Sequence, residues 1–429
     1  MKRDSTSEQG WAWLAVLVAF ALPIRAAAPL GIGALTPGVL LAILGLPVIL
    51  ASAIKFPRAK LLSGLMLFSA ASGLILAQYV NTDHHVTLGI MQSTTLLIVC
   101  AAITLMAMLW CTTKIGLSNM VLAFCAGSIA QALLTPSTWE GNGWKYAFSW
   151  PVSIALLLLV RNRTKLIQLL VVIGIGAMSI ANDYRSFFGF ALLIAALLLM
   201  PKIRAKAAVK QVSPLIPMAV LATAGFAIYR ASEWLSLNGY LGERNASVTE
   251  IQADRGVSLL LAGRPELAAS IRLFFEQPFG FGPGVVPSNS DVESAKEGLQ
   301  SVGAPTNTIY VNEYMFSNHI ELHSLTADLW VNFGLVGLVL AVISAWMIAI
   351  RLSSETIAFK PRVWVLLVLI VGIWDLAFSP IQSNWSHWIL ALAVVVALNS
   401  QSNAMSSTRN VASPTSSTLH TQGKELSAP

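Results

Sequence analysis

Runs of about 20 apolar residues recur along most of this 429-residue chain. As a helix, each such run is long enough to cross a hydrocarbon core of roughly 30 Å. The strands of a membrane barrel are only about 10 residues long and alternate apolar with polar, and these runs do neither. Composition points the same way: 55% of residues are hydrophobic, 11% are charged and the mean hydropathy is +0.69. A soluble domain carries about 25% charged residues. The fold class expected is all-α, a polytopic membrane protein with about 12 transmembrane helices.

The spans fall near 11–29, 35–54, 61–80, 92–111, 117–135, 146–160, 165–181, 184–200, 213–229, 327–350, 363–379 and 385–398. The net charge of +7 resides largely in the short connections between them. Alternate connections hold Lys55, Arg58 and Lys60; Lys114; Arg161, Arg163 and Lys165; Lys202, Arg204, Lys206 and Lys210; and Arg351, Lys360 and Arg362. The intervening short connections hold almost no basic residue, Lys145 being the exception. Positive loops face the cytoplasm, so both termini are expected inside and the long segment 230–326 outside, in the periplasm of a bacterium. The same placement accounts for the basic balance without nucleic acid. Cys100, Cys111 and Cys125 sit in or at the ends of apolar runs at spacings that fit no metal or redox motif. The N-terminal MKRDSTSEQG followed by an apolar run resembles a signal peptide, but no convincing cleavage site follows, so an uncleaved first helix is expected.

Four regions result: a nine-helix bundle over 1–229, an outer loop with short helices over 230–326, further membrane helices over 327–399, and a Ser/Thr-rich tail over 400–429 expected to be disordered. Charges inside or at the edge of the spans are functional candidates because burying them in lipid is costly. Arg25 either snorkels to the headgroups or contributes to an outward-facing cationic pocket. Arg185 either pairs with Asp183 or joins the same pocket, together with Arg264. Guanidinium groups bind phosphate in a bidentate manner and stay charged, so such a pocket suits a lipid-linked pyrophosphate. Asp375 either pairs with one of these arginines or makes a local polar contact.

The outer loop is too long to be a plain connection. After Gly263-Arg264-Pro265, residues Glu266 to Glu276 read as a helix with Leu267, Ile271, Phe274 and Phe275 at helical spacing. Such a helix lies on the membrane surface or caps the bundle. The turn PFGFGPG follows, with Gly280, Gly282 and Gly284 permitting close backbone approach. The polar passage from Pro287 to Tyr314 is expected to be mobile, as a lid or partner-contacting loop. His319 and His323 would share one face if their segment is helical. Three readings of that pair stand: polar packing at a helix entrance, a zinc pair without the glutamate that the zinc-protease motif needs, or a neutral imidazole acting as general base.

These residues resemble the O-antigen ligase family, within the group that also holds O-antigen polymerases and pilin oligosaccharyltransferases. The family pattern is His, then Asn, Ser or Gln, nine residues, Gly, two residues, and Gly, Thr or Tyr. Here nine residues separate His323-Ser324 from Gly334-Leu335-Val336-Gly337. Gly263-Arg264 and PFGFGPG match the upstream pattern. The resemblance implies a GT-C-like membrane glycosyltransferase of the bacterial inner membrane, without metal or cofactor. It would transfer a glycan from undecaprenyl pyrophosphate to an acceptor hydroxyl, with inversion; in ligases the acceptor is a lipid A-core sugar. By position, His323 would activate that hydroxyl, and Arg264 and Arg185 would bind the pyrophosphate; His319, Arg25 and the three turn glycines are further candidates for binding substrate. Ser324 stands where Asn is commoner, and Tyr184-Arg185-Ser186 replaces the family's usual Ser-Arg.

Other readings remain beside the ligase. A polymerase would use a second lipid-linked repeat as acceptor. A transporter or flippase of lipid-linked sugar predicts midplane charges and an internal repeat, and the sequence offers neither. A scaffolding protein would not need Arg264 and His323 together.

Overall fold

The computed structural model describes residues 5–25, 33–53, 55–80, 82–200, 215–240, 243–254, 256, 263–358 and 360–411. The described chain is helical, with no strand; its one β-type contact is an isolated antiparallel bridge between Val86 and Val285. The helices are α1 Ser5–Ala21, α2 Pro37–Leu44, α3 Leu46–Ala53, α4 Pro57–Val80, α5 Leu88–Ile115, α6 Leu117–Leu134, α7 Ser149–Leu159, α8 Lys165–Ala181 and α9 Arg185–Leu199. They continue with α10 Leu215–Leu237, α11 Glu243–Ala253, α12 Glu266–Glu276, α13 Asn289–Ser301, α14 Leu325–Ile357, α15 Val363–Phe378 and α16 Ile381–Val411.

Every expected span carries helix, and among the described residues five helices are long and apolar enough to cross a membrane: α4, α5, α6, α14 and α16 through Gln401. The shorter apolar helices lie within α1, at Trp144–Leu159, and at α8, α9 and α15. The second span is broken: Gly45 ends α2 and Pro47 opens α3, because proline cannot donate into the preceding turn. The expected tail boundary at residue 400 is passed. α16 runs on to Val411, since extending an established helix needs no new nucleus. Residues 412–429, and the basic loop 202–210, lie outside the described residues.

A large apolar core joins the long helices. α5 and α15 bury residues on nearly all sides, which is how a helix apolar all round is accommodated. A second, smaller core sits at one end of the bundle, where Leu273, Phe281, Leu299, Met315, Leu322 and Trp330 pack together. It belongs mainly to the segment expected as a polar loop. Segment 287–314, expected as a mobile lid or partner-contacting loop, carries packed helix. Residues 289–301 form α13, packed against α12. Ser288 and Asp291 make a reciprocal capping box at its start, an arrangement contributing about 1 kcal/mol. The Asp291 carboxylate also meets His84 Nε2 at 2.8 Å, tying α13 to the turn between α4 and α5.

α12 spans the residues expected, Glu266 to Glu276. The turn beyond it is wedged into a break in α14. Gly334 adopts φ 66°, ψ −153° inside that helix, a left-handed conformation that glycine alone takes readily. The break frees the Val331 carbonyl, which accepts from Phe281 N–H and Gly282 N–H at 2.9 Å each. Trp330 Nε1 donates to the Pro278 carbonyl at 2.9 Å. A side chain on Gly334 would stand 2.6 Å from the Phe279 carbonyl oxygen, and one on Gly280 would stand 2.5 Å from the Trp330 carbonyl oxygen. The two glycines let two backbones touch, so a loop turn completes the hydrogen bonds of an interrupted helix.

Candidate functional site

The site lies where the small core meets the start of α14. His323 comes directly before the helix, at φ 49°. A non-glycine residue in this region is strained by roughly 1–3 kcal/mol and stays there only when its surroundings hold it. Four hydrogen bonds do so. Ser324 is the N-cap: its Oγ accepts from Ala327 N–H at 3.3 Å and donates to the Leu376 carbonyl at 3.1 Å. Asp328, fully buried, accepts from Leu322 N–H and from Ile381 N–H at 2.9 Å each. The chain on both sides of His323 is thereby fastened to α15 and to the start of α16.

The imidazole packs on the Tyr310 ring with centroids 5.2 Å apart, and its Nδ1 is buried with no hydrogen-bond partner. No protein bond at Nδ1 commits the ring to one tautomer. The Tyr310 hydroxyl donates in turn to Glu266 Oε1 in a short contact. Burial and the neighbouring Glu266 carboxylate push the phenol well above its ordinary range, against a smaller opposing pull from Arg264. Tyr310 therefore stays a protonated donor. The other Glu266 oxygen is buried without a partner.

Arg264 precedes α12 by two residues. Its guanidinium lies over the rings of Trp374 and Phe378, at 5.8 and 5.9 Å. Among the described residues it makes no ion pair. Cation–π contact holds the plane of the group and leaves its N–H fork open. Tyr184 lies within electrostatic reach of both Arg264 and Asp375. Beneath Trp374 is a cavity of about 50 Å³ lined by Trp150, Tyr184, Trp374, Asp375, Asn384 and His387 among others. Neither Arg264 nor His323 lines it. His323 packs on Tyr310, and Arg264 lies within electrostatic reach of the same phenol.

The remaining candidates are placed as follows. Arg185 donates to Thr249 Oγ1 of α11 at 3.0 Å and feels Asp183. Arg25 donates to the carbonyls of Gln382 and Ser383 at 3.1 and 3.2 Å and lies over Trp385, so it latches the end of α1 to α16. Asp375 takes the local contact: Ser379 Oγ at 2.6 Å and His387 Nδ1 at 3.0 Å. The helical pairing of His319 with His323 does not form, because the chain is not helical between them. His319 turns instead to Asn318 and Glu321. Gly282 and Gly284, like Gly280, press on backbone of the chain itself, at Ala77 and Met91; Gly337 presses on the Leu329 carbonyl. Their contacts are structural. Among the described residues, no three His, Cys, Asp or Glu side chains gather as a metal site.

Sequence reasoning missed Glu266, Tyr310, Asp328 and His387. Asp328 carried a usable signal, an acid within an apolar run, the same signal that singled out Asp375. Tyr310 carried none, since its role depends on Glu266 lying 44 residues away in sequence. Searches of protein-family models, curated proteins and solved structures find no match to this chain.

Proposed function

We propose that this protein is a membrane glycosyltransferase of the O-antigen ligase type. It transfers a glycan from undecaprenyl pyrophosphate to an acceptor hydroxyl of a lipid A-core sugar. The reading places it in the bacterial inner membrane with about 12 spans, both termini cytoplasmic and the segment around Arg264 and His323 in the periplasm. The observation that carries it is an arginine that rests on the Trp374 and Phe378 rings with no ion pair among the described residues, within electrostatic reach of Tyr310, on whose ring packs an imidazole fixed by a strained backbone.

In this reaction His323 removes the proton of the acceptor hydroxyl. The oxygen attacks the anomeric carbon, and the bond from that carbon to the pyrophosphate oxygen breaks on the opposite face. The pyrophosphate leaves with the electron pair, its charge met by Arg264, and the anomeric centre inverts. A guanidinium placed where negative charge develops lowers the barrier as an oxyanion hole does. General-base help from a positioned histidine adds a factor of roughly 10²–10⁴. Arg185, half-buried and bound to Thr249, is a second cation on the same end of α9 as Tyr184.

The test is transfer by purified protein from an undecaprenyl-pyrophosphate glycan to lipid A-core, with His323→Ala and Arg264→Ala beside the parent. Loss of product in both variants at normal protein yield is expected. Normal product in both would end the reading. Elongation of the lipid-linked glycan in place of capping would convert it to a polymerase.

A further inference from the structure

α12 has three faces. Glu266, Ala269, Ser270 and Leu273 form a buried face, and the helix packs on α13. Arg272 and Glu276 form a charged stripe, with Arg272 paired to Glu276 at 3.6 Å and to Glu297 at 2.8 Å. The third face is apolar and exposed: Ile271 and Phe275 lie one turn apart, and Phe279 follows in the next turn, at 57%, 74% and 65% exposure. Single exposed apolar residues are ordinary on a protein surface. Two large side chains one helical turn apart with a third just beyond, bordered by a charged stripe, form the pattern of a helix lying in a membrane interface.

The position of this face says what covers it. The Phe279 backbone lies against Gly334 of α14, and Leu335, the next residue, is exposed, as are Val339 and Val342 farther along the same helix. On α4, which packs against α14, Ile75 and Tyr79 are exposed too. Both helices are long and apolar enough to cross a membrane, so their exposed apolar side chains need lipid around them. The face of α12 continues that surface.

We infer that α12 is an interfacial helix that inserts Ile271, Phe275 and Phe279 among the acyl chains of one leaflet, with Arg272 and Glu276 turned to the aqueous side. Arg264, two residues before the helix, is thereby held at the depth of lipid phosphates. Combined with the proposed reaction, on which this clause alone rests, the guanidinium meets the pyrophosphate of a lipid-linked donor arriving sideways through the leaflet, without lifting its chain out of the bilayer.

Nitroxide labels read this directly. Positions 271, 272, 275, 276 and 279 are changed to cysteine one at a time in the full chain and reconstituted in phosphatidylethanolamine–phosphatidylglycerol nanodiscs. Cys100, Cys111 and Cys125 are replaced by alanine; should that background fold poorly, they are retained, since all three are buried. Collision with oxygen, which concentrates in lipid, is compared with collision with a water-soluble nickel chelate. Labels at 271, 275 and 279 are expected to favour oxygen several-fold, and those at 272 and 276 to favour nickel. Nickel preference at all five positions would overturn the inference by showing a water-facing helix. Protection from both reagents at 271, 275 and 279 would overturn it too, by showing a protein partner or second copy on this face. The labels report whether or not the chain transfers a glycan, so failure here and failure of the proposed reaction are separate results.

Discussion

The two ends of α14 treat arginine in opposite ways. At its C-terminal end Arg351 and Arg362 both bond to Glu355, a carboxylate 3% exposed. Arg362 also sends its backbone N–H to the same side chain at 3.2 Å. Beyond its N-terminal end, Arg264 rests on two aromatic rings and has no ion pair among the described residues. Breaking a buried pair leaves a charge uncompensated and costs stability, so the first end reads as a fastening between α14 and α15. A cation held by ring faces keeps its donors for something else. Arg25, bound to backbone carbonyls, belongs with the fastenings. The comparison separates cations that serve the fold from one available to a ligand.

Four substitutions test that division, beginning with the largest effect. Arg264→Ala is expected to lower glycan transfer by roughly 10²–10³ while leaving the thermal midpoint of the purified protein close to the parent's. A drop in Tm that accounts for the lost activity would place Arg264 among the fastenings. Glu355→Gln should do the reverse, destabilising by about 3 kcal/mol, at the low end of such losses because Arg362 is 41% exposed. Turnover per folded molecule should be unchanged; a specific activity loss would show that the far end takes part in the reaction.

Gly334→Ala probes the joint between loop and helix. Its Cβ would meet Phe279 O at 2.6 Å, at φ 66°, so a loss of about 1–3 kcal/mol is expected in thermal unfolding. Gly64→Ala, on α4 with nothing within 4 Å of its Cβ, is the control and should be neutral or slightly stabilising. Equal effects from both would remove the argument that the turn completes α14. Of the two substitutions at the site, Tyr310→Phe has the smaller expected effect on transfer. It keeps the ring against His323 and deletes the bond to the Glu266 carboxylate, costing about 1.5–3 kcal/mol of stability. Transfer should fall several-fold; an unchanged rate would mean that the phenol does not set the imidazole.

Much of the helical framework was legible from the sequence. The apolar runs predicted helices wherever they occur, and α8, α9 and α15 begin and end within a residue of the expected positions. α12 matched because apolar spacing, proline and Gln-Pro mark its bounds. α13 was missed because it is polar in composition and owes its order to packing on α12, although its capping residues, Ser288 and Asp291, were visible. The site was legible in part. Arg264 and His323 stood out as polar residues in a telling pattern. The helical face shared by His319 and His323 did not form, since a capping serine at 324 ends the loop there and Asp328 binds the Leu322 N–H that a longer helix would have used internally.

By itself the sequence determined that this chain is helical and membrane-embedded, because so few charged residues and such long apolar runs leave no other way to satisfy the backbone and shield the side chains. Only the tertiary structure decided that Arg264 rests on ring faces with no ion pair among the described residues, and where the histidine stands. Those outcomes depend on contacts between residues far apart in the chain, Arg264 with Trp374 and Glu266 with Tyr310, and local propensity carries no record of them.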